Sequence, residues 1–119
     1  MEVMENKDEE IKSRINMLWD EVIQIREKEG KCRDSPQKEE AIRLMHQWAH
    51  RSEEGKRYFQ RKRAEIRWRL AEMDYQEGKY DSALLQIVKG LHLCGKENED
   101  LITKLIMIEV KINEMLVTV

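Results

Sequence analysis

Residues that interrupt helices are rare in this sequence, which contains a single proline and five glycines among 119 residues. The signals that are typical of β-strands are absent too. Because 40% of the residues are hydrophobic, the chain has enough apolar side chains to form a core. We therefore expect one all-α domain that spans residues 1–119.

Cysteines and long apolar segments are also scarce. Cys32 and Cys94 are far apart and have no ligand-like spacing, so we expect two reduced thiols and no disulfide. Apolar runs are only a few residues long, and the acidic start, MEVMENKDEE, lacks the apolar segment of a signal peptide. These features predict an intracellular, soluble chain without a membrane segment.

The sequence has no large excess of one charge. Lys and Arg number 22 and Asp and Glu number 24, and together they make up 39% of the residues. Such a balance produces no overall field that would favour nucleic acid or an anionic membrane. Any cationic binding site must therefore be local.

Motifs for catalysis or metal binding are missing as well. The sequence has no glycine-rich phosphate loop, no four-ligand metal motif and no nucleophile beside a base. His46, His50 and Glu53 share one face of a predicted helix, but we interpret the histidines as surface residues because a zinc site normally needs more ligands. Cys94, near His92, is interpreted as a core residue at a helix end. The sequence thus predicts a protein that is not an enzyme and has no metal or cofactor.

What the sequence does contain is a helical hairpin between Ala64 and Gly95. Apolar residues recur at helical spacing on both sides of a short connection, QEGK, whose glycine can adopt a positive φ. The hairpin follows the tetratricopeptide (TPR) pattern at Leu70, Ala71, Ala83, Ile87 and Gly95. Because small residues allow two helices to approach closely, we expect Ala71 and Ala83 at the contact between the two hairpin helices.

Two helices are predicted before this hairpin. Helix one covers Asp8–Glu29, and Ser35 with Pro36 begins helix two, which ends near Arg51. A break is predicted at Ser52–Gly55. Helix three has apolar residues on two faces, which is typical of a helix between neighbours in a stack of repeats. The predicted fold is an α-solenoid of TPR-like hairpins with about five helices.

Helix five is predicted after a break at Gly95–Asn98 and has no partner that follows it. It has more apolar residues than one buried face of a helix needs, and no polar capping repeat follows it. We therefore expect a fragment-like domain. We predict that it forms a homodimer through one face of helix five. The residues assigned to this self-association face are Leu101, Leu105, Ile108, Ile112 and Met115, with Ile102, Ile106, Val110 and Val117 enlarging it.

Basic residues are concentrated between Lys56 and Arg69. Lys56, Arg63 and Arg67 form one stripe between the two apolar faces of helix three, so we predict that these three residues bind an acidic surface of another protein. RNA binding is an alternative. It is less favoured because the cations are dispersed around the helix and Trp68, which could stack on a base, is expected to pack in the core.

The segment from Gln47 to Met115 also resembles a known family. It contains QWAHRSEEGKRYFQRKRAEIRWRL, EGKYDSALLQIVKGLHLCGKENEDL and LIMIEVKINEM, and it is similar to the amino-terminal helical repeats of the PCI-domain subunit of the 26S proteasome lid that bridges the regulatory and core particles. The resemblance implies a scaffold segment that contacts other proteasome subunits in the cytoplasm and nucleus. It also implies that the winged-helix region of that family is not part of this segment.

Three functions are therefore considered. The first is a non-catalytic scaffold of the proteasome lid, involved in ubiquitin-dependent protein degradation. The second is a free-standing TPR-like adaptor that binds a peptide or a helix. The third is an RNA-binding helical protein.

Overall fold

The structure, a computed structural model, describes residues 2–30 and 34–117, with side chains from Asp8 onward. All the regular secondary structure in this part of the chain is helical, which confirms the all-α prediction. The helices are α1 (Glu2–Glu29), α2 (Pro36–Arg51), α3 (Glu53–Gln76), α4 (Tyr80–Leu93) and α5 (Glu99–Val117), with a short 3-10 helix at Lys96–Asn98. Whether the hairpins form a solenoid stays a prediction.

The ends of the helices follow local chemistry. Ser35 caps α2, since its Oγ accepts a hydrogen bond from the backbone N–H of Lys38 at 3.2 Å. The break predicted at Ser52–Gly55 is narrower, because α3 already begins at Glu53 and the Gly55 N–H donates to Ser52 Oγ at 2.9 Å. Gly78 has a φ of +77° in the turn between α3 and α4, as the sequence predicted.

The contacts of the chain group into two compact units, Met1–Lys56 and Arg57–Val119, where the sequence predicted one repeat domain. In the first unit, α1 packs against α2. Trp19 Nε1 donates to Met45 Sδ at 3.1 Å across this contact. The buried side chains of the unit include Ile15, Leu18, Val22, Ile23, Ala41 and Trp48.

The second unit has a core to which α3, α4 and α5 all contribute. Ala71 of α3 and Ala83 and Ile87 of α4 are fully buried in one cluster with three residues of α5. Gly90 is also closely packed, because an added Cβ would lie 3.0 Å from a methyl carbon of Leu105 and 3.2 Å from the Arg67 Cβ, so these neighbours would have to shift. Small residues therefore lie where α4 meets its neighbours, as the prediction for Ala71 and Ala83 required.

The burial of α5 corrects the residues assigned to its self-association face. Leu101, Leu105, Ile108 and Ile112 are buried within the chain, and the last three belong to the core cluster of the second unit. They are therefore occupied by α3 and α4 and cannot form an exposed face. Met115, the fifth residue of that set, is exposed. Self-association itself stays a prediction.

Two further predictions concern membrane segments and disulfides. None of the helices in the described ranges is long and apolar enough to cross a bilayer. The prediction of no disulfide involves Cys32, which lies outside the described residues. Cys94 is a partly buried free thiol.

Candidate functional site

The three cations predicted to bind a partner have different environments on α3. Lys56 is exposed, and its Nζ lies 3.7 Å from Glu53 Oε1. Arg63 is also exposed, with its guanidinium carbon 5.5 Å from the centre of the Phe59 ring. Arg67 is partly buried, and its Nη1 donates to Gln86 Oε1 of α4 at 2.8 Å. Lys56 and Arg63 therefore remain accessible to a partner, whereas Arg67 is directed toward α4.

A polar cluster that the sequence did not predict joins α3 to the start of α5. The Arg61 Nη1 donates to Asn98 Oδ1 at 3.0 Å and to Asp100 Oδ1 at 3.1 Å, and Nη2 donates to Asp100 Oδ2 at 2.7 Å. The guanidinium thus binds both oxygens of one carboxylate, which is the stronger geometry for such a pair. We call these three residues the Arg61 cluster.

The pKa values around the Arg61 cluster indicate a structural pair. Hydrogen bonding by Arg61 lowers the pKa of Asp100 to about 2, and the same hydrogen bonding raises the pKa of Arg61. Burial raises the pKa of the nearby Cys94 thiol, although the charge of Arg61 opposes this effect. A thiol with a raised pKa is mostly protonated at neutral pH, so Cys94 lacks the thiolate that a nucleophile needs.

An aromatic contact involves another cation of the second unit, Lys104. The Nζ of Lys104 on α5 lies 4.5 Å from the ring centre of Trp68 on α3, within the range of a cation–π interaction. Trp68 also packs against the core cluster. The packing position that the sequence predicted for Trp68 is therefore confirmed.

The histidines considered as metal ligands lie at the surface. His46 and His50 are both exposed on α2. In the part of the chain that the structure describes, no group of three or more His, Cys, Asp or Glu side chains could hold a metal ion.

The most unusual surface feature lies on α4 and α5. Of the ten large hydrophobic side chains that are exposed in the described residues, eight lie on these two helices. On α4, Ser82 and Gln86 contact α3, and on α5 Asp100 and Lys104 do so. We call five of the eight the α4–α5 apolar surface: Leu85, Val88, Ile106, Val110 and Val117.

Helical geometry places Val88 and Ile106 away from the contacts with α3. Val88 is two residues beyond Gln86, and Ile106 is two residues beyond Lys104. Two steps of about 100° bring a side chain nearly to the opposite side of a helix. The surplus of apolar residues on α5 was evident from the sequence. The main residues assigned to the surface are buried, whereas Ile106, Val110 and Val117, predicted to enlarge it, are exposed.

Comparison with known proteins identifies no relative, since the chain matches no protein-family model, no curated protein and no solved structure. The assignment of function therefore depends on the residues themselves.

Proposed function

We propose that this chain is a non-catalytic scaffold segment of the 26S proteasome lid, where it supports ubiquitin-dependent protein degradation through contacts with other subunits. The observation that supports this proposal concerns the TPR-pattern residues. Leu70, Ala71, Ala83 and Ile87 are all buried, and the last three form one core with α5. A hairpin that packs against the next helix is the means by which TPR-like repeats add to one another.

The exposed cations of α3 support an acidic protein surface as the partner. Lys56 and Arg63 have accessible charges, and Arg67 supplies a further guanidinium on the same helix. Charges at the rim of an interface act mainly on the association rate and on the choice of partner. A lid subunit with a complementary acidic surface is the partner that this arrangement would recognise.

Affinity purification from the native cell would test the proposal. The full chain carries a tag, the complex is purified at low salt, and the bound proteins are identified by mass spectrometry. Lid subunits should be recovered in stoichiometric amounts. Recovery of a ribonucleoprotein in their place, or of a single peptide-bearing partner, would contradict the proposal and favour the RNA-binding or adaptor alternative.

Charge reversal would test the predicted contact residues. Replacing Lys56, Arg63 and Arg67 with Glu should lower the recovery of lid subunits by about tenfold or more and weaken its dependence on salt, with the helical content unchanged. The matched control reverses three exposed lysines that lie outside α3 and produces the same change in net charge: Lys89, Lys96 and Lys111. Equal recovery with both triple variants would exclude the three α3 residues as a specific contact.

A further inference from the structure

The exposed side of α5 carries a second helical seam. Thr103, Ile106, Val110, Asn113 and Val117 follow one another at alternating steps of three and four residues, and all five are exposed. None of them is charged, although charged residues make up 39% of the chain. This spacing is that of the contact seam between two helices, and loss of charge is typical of the centre of a protein interface. The buried residues of α5 form a separate seam on its other side.

We propose that two copies of this chain pair through these exposed seams, with the two α5 helices antiparallel. A second copy is the occupant that fits, because the seam is complementary to itself in one register. When Ile106 lies opposite Val110 of the second copy, Thr103 lies opposite Asn113 of the second copy. Twofold symmetry repeats both pairs, so at these four positions apolar residues meet apolar residues and a hydroxyl meets an amide, while Val117 lies opposite Glu99 at the edge of the contact.

The flanks of the seam follow the same register, although Asp100 then lies opposite Glu114 of the second copy. Ile102 lies opposite Leu116 of the second copy, and Met107 lies near its own symmetry mate. Glu109 also lies near its symmetry mate, on the other flank, and like charges at that place weaken the pairing. The antiparallel arrangement therefore predicts that removal of the Glu109 charge strengthens the dimer.

The available area agrees with a weak dimer. One buried apolar side chain removes on the order of 100 Å² from water, so the partly exposed apolar side chains of the seam and its flanks supply roughly 300 Å² of apolar area: Ile106, Met107, Val110, Leu116 and Val117. Since slightly more than half of an ordinary interface is apolar, the contact would cover about 500 Å² on each chain, or about 1,000 Å² in total. This total lies near the lower limit of a specific interface.

Light scattering and sedimentation velocity on the full chain would test self-pairing. The mass should rise from the 14.3 kDa of one chain toward twice that value over roughly micromolar to millimolar concentrations. Val110→Lys should weaken dimerisation by about tenfold or more without loss of helical content, because Val110 is 47% exposed in the chain. Met17→Lys is the matched control, since Met17 is 46% exposed but lies on α1, and it should leave the dimer unchanged.

A charge exchange would test the register. Thr103→Glu and Asn113→Lys place charges ten residues apart on α5, too far to meet within one helix. Each substitution alone should weaken the dimer. The double variant should restore it, because in the antiparallel arrangement the carboxylate introduced at position 103 faces the ammonium group introduced at position 113 of the second copy. Glu109→Gln should tighten the dimer severalfold.

Three results would overturn the proposal. The first is a monomer at every concentration up to about 1 mM. The second is equal weakening by Val110→Lys and Met17→Lys. The third is failure of the double variant to restore the dimer, which would exclude the antiparallel register. If the wild-type chain stays monomeric while Val110→Lys abolishes recovery of lid subunits, the seam binds a different chain and self-pairing is excluded.

Discussion

Asp100 shows how one exposed residue can connect two helices. Its carboxylate receives two hydrogen bonds from Arg61 of α3, and it also lies in the first turn of α5, where a negative charge is favourable. Because Arg61 was counted among dispersed surface cations, this pair was not predicted from the sequence. The partners are 39 positions apart, and periodicity within one helix carries no information on such a contact.

The Asp100 pair should give a specific dependence of stability on pH. A carboxylate whose folded pKa is depressed stabilises the fold above its unfolded pKa, and that contribution is lost as the pH falls through the folded value. For Asp100 the window extends from the ordinary pKa of 3.8 down to about 2. Asp100→Asn should therefore lower the midpoint of thermal unfolding slightly at pH 7, and the difference from wild type should vanish as the pH approaches 2.

The control for Asp100 is Asp81→Asn. Asp81 is an acidic residue in the first turn of α4, so its substitution removes the interaction with the helix dipole but no bond to Arg61. A larger effect at Asp81 than at Asp100, measured by calorimetry at pH 7, would show that the dipole rather than the Arg61 cluster determines the effect.

At the scale of the helices, sequence patterns predicted the all-α class and most of the helices. They gave α2 with both its ends, the Gly78 turn and the small residues Ala71 and Ala83, because these depend on neighbours in sequence. They did not decide which side of α5 is buried, since both sides carry apolar residues at helical spacing. The buried side of α5 is the one whose side chains fit against α3 and α4, and the pattern within α5 alone does not contain this information.

The contact between α3 and α4 should be sensitive to added volume. Ala71 and Ala83 have no exposed surface, so replacing either with Leu should overpack the core and lower the free energy of unfolding by ~1–3 kcal/mol. Val88→Leu, which adds volume at a position 62% exposed on α4, should change it by less than about 0.5 kcal/mol. Urea denaturation followed by circular dichroism would measure both, and equal stabilities would contradict the close packing of α3 and α4.

At the scale of the whole molecule, the boundary between the two compact units lies inside α3 rather than in a loop. The break predicted at Ser52–Gly55 lies next to this boundary, but α3 continues across it as one helix. The sequence predicted one domain and most of the helix ends, although α1 begins at Glu2 rather than at the predicted Asp8. The division into units follows from contacts between helices, which local patterns do not record.

This division predicts that damage to one core stays largely within its own unit. Ile15 in the first unit and Ile112 in the second have no exposed surface, so each change to Ala should cost ~2–5 kcal/mol where the cavity forms. Hydrogen exchange followed by mass spectrometry should show that Ile15→Ala lowers the protection of α1 and α2 more than that of α4 and α5. Ile112→Ala should give the reverse pattern, because local opening follows groups of mutually packed elements. If both variants lower protection equally along all the helices, the chain unfolds as one cooperative body and α3 transmits the loss of either core.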